Sequence, residues 1–236
     1  MKTIELKEMQ EIELNLLHEF DKLCKENNLR YYIDGGTLLG AMCYEGFIPW
    51  DDDIDLKMPR DDYDRLVDCF RSLPSYISLI VPTEKGCNYT MSKLIDNRTV
   101  LIENNHGLKK TLGVYIDILP MDGHPDNDED HFKMLQKYNS LFHYSLNGFN
   151  DLKNGVFSSK LKGYVYSVIY SPWKLYCKLC ELAKEYKYSE CEYVGLVIEG
   201  DCKKERFLRS DLDNCEYLKF EDMMVPAPRN YEKHLQ

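Results

Sequence analysis

No stretch of this chain approaches the roughly 18 consecutive apolar residues that a membrane-spanning helix needs. Met1 to Leu14 is studded with Glu and lacks the apolar centre of a secretory signal, so a cytoplasmic protein is expected. Positive charge is scarce: 30 Lys and Arg stand against 40 Asp and Glu, a formal net charge of -10. A sequence-independent nucleic-acid binder needs a cationic surface to displace counterions, which argues against nucleic acid as a partner. A nucleotide is still allowed, because a bound cation can supply local positive charge. No internal repeat or low-complexity linker marks a clean domain boundary. The six histidines, His18, His106, His124, His131, His143 and His234, form no metal-ligand pattern. The nine cysteines are an odd number in a chain of 236 residues, too long to need stapling, and read as reduced thiols. Cys177 and Cys180 with Cys191 and Cys202 offer four thiolates for zinc, but the second pair has the wrong spacing for a ribbon or finger.

What is present centres on Tyr31 to Pro59, YYIDGGTLLGAMCYEGFIPWDDDIDLKMP. A short apolar strand, Tyr31 to Asp34, leads into Gly35-Gly36-Thr37 and a small-residue helical run, Leu38 to Met42. A loop with Pro49 and Trp50 then leads to Asp51-Asp52-Asp53-Ile54-Asp55-Leu56. The alternation predicts a strand over Asp53–Met58. Side chains two apart share a face, with Cα atoms roughly 6.5–7 Å apart. Asp53 and Asp55 would then point one way, and Ile54 and Leu56 into a core. Two carboxylates on one face repel unless a cation sits between them. Mg²⁺ usually binds one or two carboxylates plus substrate phosphates. Glycines let backbone amides approach a phosphate, and a helix start adds a favourable dipole. An Asp-rich run is by itself usually a solvated loop and Gly-Gly usually a turn. Here both occur together, with acids alternating as a strand demands.

The flanking pattern predicts a helix over residues 3 to 27, with Thr3 as N-cap and Leu6, Met9, Ile12, Leu16, Leu17, Phe20, Leu23 and Cys24 inward, leaving Glu and Lys outside. A second amphipathic helix is expected from Arg60 to Leu73 and a strand over Ile77–Val81. Met91–Ile95 and Thr99–Ile102 read as strands joined around Asp96-Asn97, a hairpin signal. Val114–Leu119 is the next strand, with Asp117 between Ile116 and Ile118; an acid buried there demands a partner. Asp126 to Asp130 reads as an acidic loop or helix start. From His131 the chain reads mainly helical. Tyr164 to Ala183, broken at Ser171-Pro172, reads as a pair of core helices. Its alternative is an interfacial segment against a membrane, where aromatic rings with Lys174 and Lys178 would sit well.

Three runs resemble the LicD family of phosphotransferases, relatives of fukutin within the nucleotidyltransferase superfamily. They are Gly35-Gly36-Thr37-Leu38-Leu39-Gly40-Ala41, Gly46-Phe47-Ile48-Pro49-Trp50-Asp51-Asp52-Asp53-Ile54-Asp55, and Met58-Pro59-Arg60. A fourth is Asp117-Ile118-Leu119-Pro120-Met121-Asp122. The resemblance is dense over residues 30 to 122 and thin after that. It implies an α+β, polymerase-β-like nucleotidyltransferase fold, with a catalytic core over residues 1–125 and a mainly helical extension over 126–236. It also implies transfer of phosphocholine or a similar phospho-alcohol from a CDP-alcohol, CDP-choline first, to a cell-surface glycan or its lipid-linked precursor. Lipopolysaccharide, teichoic acid and capsule are the glycans in view, and peripheral association with the inner membrane surface would follow from a lipid-linked acceptor.

The superfamily places a third carboxylate on a neighbouring strand facing the first two. Asp117 is assigned there, so the implied metal set is Asp53, Asp55 and Asp117 on Mg²⁺, with Mn²⁺ the alternative. A structural Asp bonded to loop backbone is the other reading of Asp117, and Asp122 is the weaker candidate for its place. Asp117 is the first choice as base, with Asp51 and Asp52 as alternatives. Gly35, Gly36 and Thr37 would hold donor phosphates. Lys93 matches a family lysine that meets a leaving phosphate; its competing reading is a surface lysine on an edge strand. Glu205 resembles a family position with low specificity. Cys43-Tyr44 stands where relatives carry Arg-His, so a guanidinium grip on phosphate is absent. Relatives commonly carry a Tyr-Gly-Asp motif beyond the segment matching Phe220 to Leu235, so a sequence ending at Gln236 reads as a short or shortened form. Two other functions share the core elements: nucleotidyl transfer to a protein or small molecule, and a catalytically inactive binding module.

Overall fold

The computed structural model describes residues 3–83, 89–105, 108–125, 127–147, 171–198 and 206–233. Helix α1 (Leu6–Asn27) begins after Glu5, which forms a reciprocal capping box with Glu8. Thr3, the cap expected from sequence, lies outside the helix; a carboxylate at Glu5 satisfies the first-turn donors instead. Asn28 ends the helix in the left-handed region at φ 50°, and the Leu29 N–H returns to the Cys24 carbonyl at 2.9 Å. Leu16, Leu17, Phe20, Leu23 and Cys24 form its buried stripe.

Strand β1 (Tyr32–Ile33) leads into α2 (Gly35–Tyr44), β2 (Asp55–Pro59) and α3 (Arg60–Cys69), which closes with a 3₁₀ turn at Phe70–Ser72. Then come β3 (Ile77–Ile80), β4 (Ser92–Asn105) and β5 (Leu108–His124). These strands lie in the order β1-β2-β5-β4-β3, with β2 parallel to β5 and the other neighbours antiparallel. Ile54, Leu56 and Met58 meet Leu94, Ile116 and Ile118 and the α1 stripe in one core. Burying each such side chain contributes about 1.5–3 kcal/mol before entropy is counted.

The expected hairpin at Asp96-Asn97 is not formed. β4 runs on, with its register to β5 shifting between Asp96 and Leu101. A bulge takes up the extra residues: the Thr99 hydroxyl donates to the Asp96 carbonyl at 2.8 Å and accepts the Val114 N–H at 2.7 Å. Arg98 also grips the Asp96 carboxylate, so Asp96 is satisfied inside a continuing strand. Turn-forming residues therefore mark a local irregularity, and β4 pairs β3 on one side and β5 on the other. Lys93 is thus on an interior strand, not an edge.

After residue 125 the described chain holds four short strands beside its helices. Helices α4 (Glu129–Asn147) and α5 (Pro172–Ala183) pack together through Phe132, Leu135, Phe142, Leu175, Leu179 and Leu182. Pro172 opens α5, where its missing N–H costs nothing. The core reading therefore holds for residues 172–183. Residues 164–170, Cys202 and Glu205 lie outside the described residues. Next come β6 (Tyr193–Gly195), β7 (Arg206–Leu208), α6 (Arg209–Asp213), β8 (Glu216–Phe220) and β9 (Met223–Ala227), with a last 3₁₀ turn at Tyr231–Lys233. β6 extends the main sheet by pairing with Asp122–His124 of β5. The β8–β9 hairpin returns to the first core through Phe220, Val225 and Ala227. These short strands lack a distinctive alternation, and their partners are remote in sequence. The architecture is α+β. No helix among the described residues is long and apolar enough to cross a membrane.

Candidate active site

Helix α2 starts on the glycines themselves, so Gly35, Gly36 and Thr37 form its first turn. Their N–H groups have no carbonyl one turn behind them and point out of the helix end. Gly35 has φ +52°, a conformation L side chains rarely adopt, and its Cα faces the Asp55 carboxylate: a Cβ there would lie 3.3 Å from Oδ2. At Gly36 a Cβ would lie 2.5 Å from Asp51 Oδ2, so only glycine lets that carboxylate approach the helix start. The Thr37 side chain is buried, and its hydroxyl accepts the Asp55 N–H at 3.0 Å. It fastens the helix start to β2 and does not face solvent.

Strand β2 begins at Asp55, two residues later than expected. Asp53 therefore belongs to the preceding loop, not to a shared strand face. Asp55 is the register partner of Asp117 on the parallel strand β5, and the Asp117 N–H donates to the Ile54 carbonyl at 2.9 Å. Lys93, register partner of Asp117 on β4, places its Nζ 2.6 and 3.0 Å from the two Asp117 oxygens. The same ammonium lies 3.6 Å from the centroid of the Tyr115 ring. Asp55, Asp117 and Lys93 thus meet beside the start of α2, with Asp53 near enough to act on Asp55, although the oxygens of Asp53, Asp55 and Asp117 do not all lie within 4.8 Å of one another. Asp122 is not among them. It is buried, five residues along β5, and forms a bidentate pair with Arg60 at 2.7 and 2.6 Å.

The acids crowd one another. Among the described residues, the one set of three or more potential ligands with oxygens within 4.8 Å of one another is Asp51, Asp52 and Asp53. Burial, then Asp51 and Asp52, push the Asp53 carboxyl up to about 6. Burial, then Asp53, Asp117 and Asp34, push Asp55 up to about 7, against the opposing pull of Lys93. Repulsion of this kind is what a cation would relieve. The all-oxygen donor set suits a hard divalent ion such as Mg²⁺ or Mn²⁺.

Five residues at or near the site escaped the sequence reading. Gln10 of α1 donates to the Asp51 carbonyl at 2.9 Å and ties the acidic loop to the helix. Asp34 precedes α2 and pairs with buried Lys57 at 2.6 Å. Glu13, expected to face solvent with the other Glu and Lys of α1, is fully buried. Its position was visible in the sequence: it lies one turn before Leu16 and Leu17 on the apolar stripe. An acid at such a place is the signal that periodicity alone passes over. At the far end of α2, the exposed rings of Tyr44 and Trp50 meet edge to face at 6.4 Å and 80°. Cys43 beside them is exposed.

Sequence comparison places these residues in a wider context. The chain is 29% identical, over its full length and 90% of the relative, to the lipopolysaccharide cholinephosphotransferase LicD of Haemophilus influenzae. It is 28% identical to an uncharacterized protein of Rickettsia prowazekii, over 73% of this chain and 63% of the relative. The family profile described as LicD/FKTN/FKRP, nucleotidyltransferase domain, matches residues 28–157, more than half of the chain and the stretch that holds α2, the acidic loop, β2 and Asp117. The chain belongs to the LicD/FKTN/FKRP nucleotidyltransferase-domain family.

Proposed function

We propose that this protein is a metal-dependent transferase that moves phosphocholine, or a similar phospho-alcohol, from a CDP-activated donor to a cell-surface glycan or its lipid-linked precursor. The observation that carries this reading is the pairing of Asp55 with Asp117 on parallel strands, with Lys93 on Asp117, at the glycine start of α2. The same arrangement supports a polymerase-β-like fold for the core. The name of the Haemophilus relative supports phosphocholine as the group moved and lipopolysaccharide as the acceptor. A lipid-linked acceptor would put the reaction on the cytoplasmic face of the inner membrane.

Asp53, Asp55 and Asp117 would hold Mg²⁺ or Mn²⁺, which when bound neutralises and orients phosphate oxygens. The first-turn amides of Gly35, Gly36 and Thr37 would receive the donor phosphates. The acceptor hydroxyl attacks the β-phosphorus in line. Its O–P bond forms as the bond from that phosphorus to the bridging oxygen breaks, and CMP leaves with the bond's electron pair. Asp117 takes the hydroxyl proton, and Lys93, held beside it, meets the charge developing on the leaving phosphate. The exposed Tyr44 and Trp50 rings, set nearly at right angles, suit the trimethylammonium of choline, which binds aromatic faces.

Incubation with CDP-choline, Mg²⁺ and a lipooligosaccharide acceptor should release CMP and leave phosphocholine on the glycan. A nucleotidylated acceptor, or no CMP from any CDP-alcohol, would overturn the reading. Trp50→Ala should weaken CDP-choline more than a CDP-alcohol without a quaternary ammonium.

A further inference from the structure

Glu13 is an acid on the buried stripe of α1. It is fully buried, and neither carboxylate oxygen has a hydrogen-bond partner among the described residues. A buried polar group without a partner costs free energy, and a buried charge costs more. An apolar side chain on the stripe between Met9 and Leu17 would be cheaper. Beyond burial itself, four acids act on it, Asp53, Asp52, Asp51 and Asp117 in falling order. Gln10, one turn earlier on α1, already holds the backbone of the same loop through the Asp51 carbonyl. One face of α1 therefore carries both a clamp on the acidic loop and an unpartnered acid beside its side chains.

We propose that Glu13 is the buried fourth carboxylate of a divalent-cation site whose other ligands are Asp51, Asp52 and Asp53. Two independent observations meet here: three carboxylates with oxygens within 4.8 Å of one another, and a fully buried acid with no partner of its own. Asp53 is shared with the set that includes Asp55 and Asp117, so α1 is joined to the candidate active site through one residue. The inference rests on the cation reading of the proposed function and adds a helix that the family resemblance does not implicate.

The test is Mn²⁺ binding to the whole chain without nucleotide, read from the electron paramagnetic resonance of free Mn²⁺. Glu13→Gln keeps shape and removes the charge. It should weaken Mn²⁺ binding by roughly 10–100-fold, while the metal-free variant melts at the same temperature as wild type or higher. Glu13→Asp keeps the charge and should recover part of the affinity. Unchanged Mn²⁺ affinity in Glu13→Gln would overturn this inference and leave the proposed function standing. Failure of Glu13→Gln to fold would also overturn it, because the acid would then serve the fold. A wild type that binds no Mn²⁺ would overturn both.

Discussion

Asp117 and Asp122 stand five residues apart on β5 and face opposite ways, as an odd spacing on a strand requires. Asp122 meets a single guanidinium, Arg60, in a bidentate pair with both side chains buried. Asp117 meets Lys93, but its wider surroundings hold Asp51, Asp52, Asp53, Asp55 and Glu13. On one face the charges are matched and locked. On the other, negative charge exceeds that of the cations among the described residues. A matched buried pair has little left to offer a ligand, whereas an unmatched cluster gains when a cation arrives. The same residue type on one strand thus serves the fold in one place and a guest in the other.

The largest effects are expected on the Asp117 face. Asp53→Asn and Asp55→Asn should each lower transfer by about a hundredfold or more, with melting of the metal-free protein unchanged or raised. Asp117→Asn should reduce turnover by roughly 10²–10⁴ while nucleotide binding survives. Single-turnover assays beside calorimetric titration decide this; an Asp117→Asn protein that unfolds would return Asp117 to a structural role.

On the Asp122 face the expected loss is of stability. Asp122→Ala strands a buried guanidinium and should cost about 3–5 kcal/mol, a fall in melting temperature of roughly 10 °C. Chemical denaturation of the metal-free protein measures it, and a loss of activity without loss of stability would contradict the division drawn here.

A smaller effect is expected at Cys43, which is exposed at the far end of α2 from the glycines. Arginine presents a planar fork that grips phosphate. Cys43→Arg should tighten CDP-alcohol binding by roughly tenfold, on the order of 1.5–3 kcal/mol for charge-assisted bonds. Unchanged or weaker binding would show that position 43 does not face the donor phosphates.

The mildest test is pH. Asp53, Asp55 and Glu13 are raised to about 6, 7 and 9. Each is a carboxyl whose folded value lies above its unfolded one. Its stabilising contribution is complete below the ordinary carboxylate range and is lost as pH climbs through the folded value. The metal-free protein should therefore melt at lower temperature as pH rises from about 4 towards 9, and Mg²⁺ should flatten that fall. Scanning fluorimetry across this range would refute the excess-charge picture if stability rose with pH.

Much of this molecule was legible in order along the chain. The apolar stripe of α1, the alternation of Ile54, Leu56 and Met58, and the nearness of Gly35-Gly36 to the Asp run follow from period and local chemistry. These depend on residues a few positions apart. Asp96-Asn97 misled because turn residues favour a reversal or a bulge equally well, and Thr99 together with the partner strand settled which. Asp117 and Asp122 are alike in sequence, both set beside apolar residues; Lys93 and Arg60, each distant in the chain, gave them different roles. Glu13 shows the same limit, since helical spacing placed it on the buried stripe but could not say that acids wait there. The return of β8 and β9 to the first core was likewise decided by packing. Local periodicity fixes which face of an element is apolar, but the partner that covers that face comes from distant chain, and only tertiary structure chooses it.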